Sequence, residues 1–98
     1  MQELINKVQE LVAFELERAN TIHPPKFNSM HEAYAVILEE MDEVKADTSL
    51  MYSKTEGLWW AVKHDSNPIN KLKDIEGYAM HAAAELIQVS AMCRKARM

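Results

Sequence analysis

Cysteine is nearly absent from this chain: Cys93 is the single one in 98 residues. One thiol can form neither an intramolecular disulfide nor a Cys-rich metal site. Between Met92 and Arg94, a small half-buried helix residue is its expected role. Glycine and proline are scarce as well, with two and three copies. Strand-rich folds need many turn signals, so this scarcity points to a few long helices. No apolar run approaches bilayer-spanning length. Met1-Gln2-Glu3-Leu4 lacks the basic-then-apolar pattern of a signal peptide, so a cytoplasmic protein is expected. An excess of positive charge is also missing: the formal net charge is −4 and the pI about 5.5. An acidic chain gains little from neutralising phosphates along a duplex, so a nucleic-acid partner is not expected. A bound cation can still supply the positive charge that a nucleotide needs. The basic residues Arg94, Lys95 and Arg97 gather at the C-terminus, where they complement the negative end of a helix dipole.

What is present is a single domain over residues 1–98 with 48% apolar and 27% charged residues. Leu4, Ile5, Val8, Leu11, Val12, Leu16 and Ala19 fall three or four apart, the stripe of an amphipathic helix. That helix should end near Asn20, ahead of His23-Pro24-Pro25, leaving residues 21–28 as a connector. Ser29 and Glu32 have capping-box spacing and open a second helix. Tyr34, Ile37, Leu38, Met41 and Val44 supply its apolar face, and the pattern weakens at Asp47-Thr48-Ser49. Residues 50–64 read as an extra helix or a lid, with Gly57 as a possible break. Asn67 caps a last helix that starts at Pro68 and runs to about Lys95. Its middle, residues 79–91, is rich in small residues that let a neighbour approach. The expected fold is all-α, an antiparallel bundle of three to four helices. So short a chain has a limited core, so a homodimer or homotetramer is expected.

The informative anomaly is Glu39-Glu40-Met41-Asp42-Glu43. The helical neighbours of Glu40 are Val36, Ile37, Glu43 and Val44, three of them apolar. Glu40 therefore sits beside the core-facing stripe, with Glu43 one turn on. Two carboxylates at i and i+3 repel, and burying either one ionised is costly. A divalent cation resolves both problems. Glu85 and Gln88 form a matching polar pair among the small residues of the last helix. If the two helices pack side by side, Glu40, Glu43, Glu85 and Gln88 make an oxygen-rich site in the bundle core. Oxygen ligands favour Mg²⁺ or Mn²⁺ over Zn²⁺.

The stretch Tyr34-Ala35-Val36-Ile37-Leu38-Glu39-Glu40-Met41-Asp42-Glu43 resembles the first metal-binding helix of the MazG-like all-α nucleoside triphosphate pyrophosphohydrolases. Glu40 and Glu43 match that superfamily's Glu-x-x-Glu motif. Ala84-Glu85-Leu86-Ile87-Gln88-Val89 resembles its later Glu-x-x-Asp motif, with Gln88 in the aspartate position. His31-Glu32-Ala33-Tyr34-Ala35 and Gln88-Val89-Ser90-Ala91-Met92 are similar to phage and prophage members. The resemblance spans residues 31–94 and is weakest between the motifs, which are farther apart than usual. It implies hydrolysis of a nucleoside triphosphate to the monophosphate and pyrophosphate. Glu40, Glu43, Glu85 and Gln88 would hold Mg²⁺ (or Mn²⁺), and Glu39 would orient or deprotonate the attacking water. Lys54, Lys63, Lys71 and Lys73 are candidates for phosphate contacts, or solvated surface residues.

Gln88 supplies a neutral oxygen where the motif has a carboxylate. That departure favours a second reading, a non-catalytic helical module that binds a nucleotide or a protein. Trp59 and Trp60 either stack on a base or fill a core or subunit interface. His81, one turn before Glu85, reads as a hydrogen-bonded neighbour of the site rather than a ligand.

Overall fold

The computed structural model describes residues 1–98 as three helices without a strand: α1 (Gln2–Ile22), α2 (Met30–Lys63) and α3 (Ile69–Ala96). α1 runs two residues past Asn20, and its last turn closes with the His23 N–H donating to the Ala19 carbonyl. α2 opens as its sequence requires: Ser29 is extended and its hydroxyl accepts from the Glu32 N–H at 3.1 Å. The Glu32 carboxylate reaches back one residue further than a capping box would, to the Asn28 side chain at 2.8 Å.

α2 then continues unbroken through Gly57 to Lys63, so residues 50–64 are neither a lid nor a separate helix. A helical glycine costs only about 1 kcal/mol, which tertiary packing readily overrides. The true stop is a Schellman turn. The Ser66 N–H donates to the Ala61 carbonyl at 2.9 Å and the Asp65 N–H to Val62 at 3.3 Å. Asp65 takes the left-handed conformation (φ 52°) that glycine usually fills. Asn67 accepts from the Ile69 N–H at 3.0 Å, and Pro68 already has helical dihedrals, so α3 starts where the Asn-Pro pair predicts.

α2 and α3 form an antiparallel hairpin. Lys54 pairs with Asp74 at 3.4 Å near its closed end, Asp47 meets His81 further along, and Ala33 lies by Ala96 at the open end. Alanines dominate the buried apolar residues of the hairpin: Ala33 and Ala61 on α2 and Ala82 and Ala91 on α3, joined by Val44. α1 lies against α3 rather than α2.

The expected apolar face of α2 is not the core face. Tyr34, Leu38 and Met41 are 66%, 43% and 42% exposed, while only Val44 of that stripe is buried. Helices packed through alanine approach too closely to admit bulky side chains, so these point outward. On α1, Leu4, Leu11 and Phe14 are likewise exposed, and no large side chain anywhere is fully buried. Cys93, expected to be half-buried, is exposed on α3. The radius of gyration is 17.0 Å, against about 13 Å for a compact domain of this length.

Two substitutions on α3 probe this packing in opposite directions. A Cβ at Gly77 meets nothing within 4 Å, so Gly77→Ala should stabilise by about 0.5–1 kcal/mol through helix propensity. Ala91 is 0% exposed, so Ala91→Leu should force the seam apart and cost about 1–3 kcal/mol. Urea denaturation followed by circular dichroism measures both; a neutral Ala91→Leu would show that the seam is loose.

Candidate metal centre

The antiparallel register turns one face of α2 toward one face of α3. Glu40, Val44 and Asp47 lie one turn apart along α2, and opposite them run Gln88, Glu85 and His81 of α3. The seam is thus apolar in its alanines and polar in between.

The donors that converge most tightly are Asp47, His81 and Glu85, whose ligand atoms all lie within 4.8 Å of one another and could hold a metal ion. His81 Nδ1 sits 2.5 Å from Asp47 Oδ2 and 2.5 Å from Glu85 Oε1. One ring nitrogen carries one hydrogen and cannot serve both. The Asp47 contact has hydrogen-bond geometry; the Glu85 contact does not, and neither Glu85 oxygen has a hydrogen-bond partner. Glu85 is nonetheless only 4% exposed.

The electrostatics follow from this crowding. Asp47 pushes the Glu85 carboxyl above its ordinary range, with burial adding to the effect and Glu43 contributing repulsion. The neighbouring Glu85, together with His81, holds Asp47 below the usual carboxylate range. Asp47 in turn raises His81. In water-filled surroundings such carboxylates would simply move apart; here two packed helices hold them.

Glu40 sits elsewhere along the same seam. With Gln88 it lines a cavity of about 270 Å³, whose walls also carry Glu15, Arg18, Lys26 and Lys95. Arg18 clamps the buried Glu15 with its Nε at 2.9 Å from both carboxylate oxygens. Lys95 is only 6% exposed, lies 4.6 Å from the centre of the Phe27 ring, and forms no ion pair. Beyond any general effect at a helix end, this lysine is drawn inward to the cavity. Oε2 of Glu40 is buried without a partner. Burial raises the Glu40 carboxyl above its ordinary range, with Glu43, Glu39 and Glu15 adding repulsion.

The four expected metal ligands are therefore not gathered at one point. Glu40 and Gln88 share the cavity, whereas Glu85 lies with Asp47 and His81. Glu43 is exposed at the rim of the seam, its charge felt by both Glu40 and Glu85. The reason is helical phase: Glu43 is turned about 60° around the axis from Glu40, whereas Asp47 stands within about 20° of it, so Glu40 and Asp47 share the direction of α3 and Glu43 lies to the side. Glu39 is exposed and lines no part of the cavity. Of the lysines expected near phosphate, Lys54 is paired with Asp74 and Lys63 lies over the Trp59 ring, both distant from Glu40 along α2. Trp59 and Trp60 are themselves exposed.

Sequence reasoning missed Asp47 as a donor, because the apolar pattern fades there. The signal was available: Asp47 stands seven residues after Glu40, on the same face, and His81-x-x-x-Glu85 places a second donor beside Glu85 at helical spacing.

Compared with known protein families, curated proteins and solved structures, the chain matches none.

Glu40 gives a test of the cavity's electrostatics. Its folded-state pKa lies above the ordinary 4.5, so the folded protein disfavours the ionised carboxylate. That cost develops as pH rises from 4.5 through the folded value and persists above it. In metal-free buffer at neutral pH, Glu40→Gln should therefore melt higher than the parent, with the gap closing as pH falls below 4.5. Equal melting temperatures at neutral pH would mean the carboxylate is fully solvated.

Proposed function

We propose that this chain is a metal-dependent nucleoside triphosphate pyrophosphohydrolase of the MazG-like kind, releasing pyrophosphate and a nucleoside monophosphate. The observation that carries the reading is the cavity in which Glu40 of α2 and Gln88 of α3 meet beside three cationic side chains, Arg18, Lys26 and Lys95. Those residues are the motif positions that resemble the family's metal ligands, and they arrive on facing antiparallel helices. The orphaned, buried Oε2 of Glu40 and the unpartnered oxygens of Glu85 suit a divalent cation, which would supply the missing partner.

In this reading Glu40 and Gln88, which share the cavity, hold Mg²⁺ (or Mn²⁺), the neighbouring carboxylates Glu43 and Glu85 add negative charge beside it, and the substrate's own phosphate oxygens fill the rest of its coordination. The ion supplies charge neutralisation at the bridging and non-bridging phosphate oxygens. Lys95 and Lys26 bind the phosphate chain. Lys95 suits that task because it is already desolvated against Phe27, so little side-chain freedom is lost on binding. The cavity accommodates a phosphate chain better than a whole nucleotide, since sites for larger ligands start near 300 Å³. The sugar and base therefore extend over its rim. Glu39 has no place in this arrangement; the nearer carboxylate at the rim is Glu43, which we assign to orienting the attacking water.

The neutral Gln88 and the exposed Glu43 favour one alternative, a module that binds the nucleotide without hydrolysing it. Pyrophosphate release from a panel of ribo- and deoxyribonucleoside triphosphates with Mg²⁺ separates the two. Release from at least one triphosphate is expected, falling about a hundredfold or more in Glu43→Gln. Metal-dependent binding without release would establish the module; neither binding nor release would remove both readings.

We further propose that the working form is a homo-oligomer. The chain exposes 7401 Å², whereas a compact monomer of 11.2 kDa exposes roughly 5,700 Å². The excess is about twice the roughly 800 Å² per partner of a standard interface. It includes Phe14, Leu38, Met41, Trp59 and Trp60. Light scattering should return a dimer or tetramer; a monomer at micromolar concentration would refute this.

A further inference from the structure

We propose that Asp47, His81 and Glu85 form a transition-metal site, taking an ion such as Zn²⁺ or Co²⁺ and clamping α2 to α3. Three side chains from two helices bring one imidazole nitrogen and two carboxylates within 4.8 Å of one another. Helices position donors more firmly than loops do, so the set is preorganised.

The second observation is Glu85 itself. It is 4% exposed, aimed at the other two donors, and neither of its oxygens has a hydrogen-bond partner. The one N–H within reach, on His81, is directed at Asp47. A buried carboxylate left without a donor is costly, and a cation held between it, Asp47 and His81 supplies what is missing.

The donor set selects the kind of ion. Mg²⁺ prefers oxygen ligands and retained waters, whereas an imidazole with two carboxylates suits Zn²⁺, Co²⁺ or Mn²⁺. Three protein ligands leave at least one coordination position for water or an anion. That position has somewhere to open: His81 is 70% exposed and faces a shallow cleft of about 400 Å³ shared with Lys73, Asp74 and Tyr78. This cleft is separate from the cavity of Glu40 and Gln88. Ligand atoms around a tetrahedral ion with bonds near 2.0–2.1 Å stand roughly 3.3 Å apart. The 2.5 Å contacts of His81 must therefore widen by less than about 1 Å, which an exposed imidazole achieves by rotating.

The site uses Glu85, which only neighbours the Mg²⁺ ligands proposed above, and needs neither Glu40, Glu43 nor a nucleotide. The test uses the metal alone. The chelator-treated full chain is titrated with Co²⁺, followed by its visible absorption, and with Zn²⁺ in competition; melting temperature is read in parallel. Binding of one equivalent per chain and a higher melting temperature are expected. Asp47→Asn and His81→Ala should each weaken binding by about tenfold or more. The isosteric Asp47→Asn keeps the seam's shape, and circular dichroism confirms that each variant is folded. The Glu40→Gln, Glu43→Gln double variant should bind Co²⁺ as the parent does while losing any Mg²⁺-dependent pyrophosphate release. No Co²⁺ or Zn²⁺ binding would overturn the proposal. So would binding indifferent to Asp47→Asn and His81→Ala, or binding lost in the double variant.

Discussion

The close approach of α2 and α3 through Ala33, Ala61, Ala82 and Ala91 is the constraint on which the rest depends. Alanine seams bring backbones near enough that only short side chains fit between them. Longer ones must either leave the interface or lie along it with their polar ends in contact. Tyr34, Leu38 and Met41 leave it. Glu40, Asp47, His81 and Glu85 remain at its edges, held in a proximity they would not choose in solution. The crowding of these ionisable groups thus originates in residues that carry no charge at all.

A polar seam of this sort is a poor source of stability. Buried carboxylates oppose folding unless something compensates, and the apolar core is small and mostly alanine. Two kinds of compensation suit the molecule. Cations would neutralise the seam, and further copies of the chain would cover the apolar surface left outside. Both would act by mass action on the folded state, making stability depend on conditions as well as on the chain.

The helices were legible in the sequence because local rules decide them. Ser29 with Glu32, the double proline after His23, and Asn67-Pro68 each act over a few residues. The continuity of α2 through Gly57 was not, since one glycine is a weak signal that long-range packing against α3 outweighs. The direction of the apolar stripe was misjudged for a related reason. Periodicity reveals that Tyr34, Leu38 and Met41 share a face, but not whether that face meets α3 or something outside the chain. At the site, the pairing of Glu40 with Gln88 across the seam could be anticipated from motif spacing. The role of Asp47 was only half legible: its place on the face of Glu40 follows from the seven-residue spacing, but its meeting with His81 depends on the register of the hairpin, which is fixed by the Asp65 turn far from it.

The unbroken length of α2 has an optical consequence. Trp59 and Trp60 stand about twenty residues from Glu40 on one rigid rod, roughly 30 Å away at 1.5 Å per residue. Both indoles face solvent. Their emission is therefore insulated from whatever occupies the cavity, yet poised to shift to the blue when a neighbouring chain covers that end of the hairpin. The two indoles would thus report self-association, while occupation of the cavity at the far end would leave their emission unchanged.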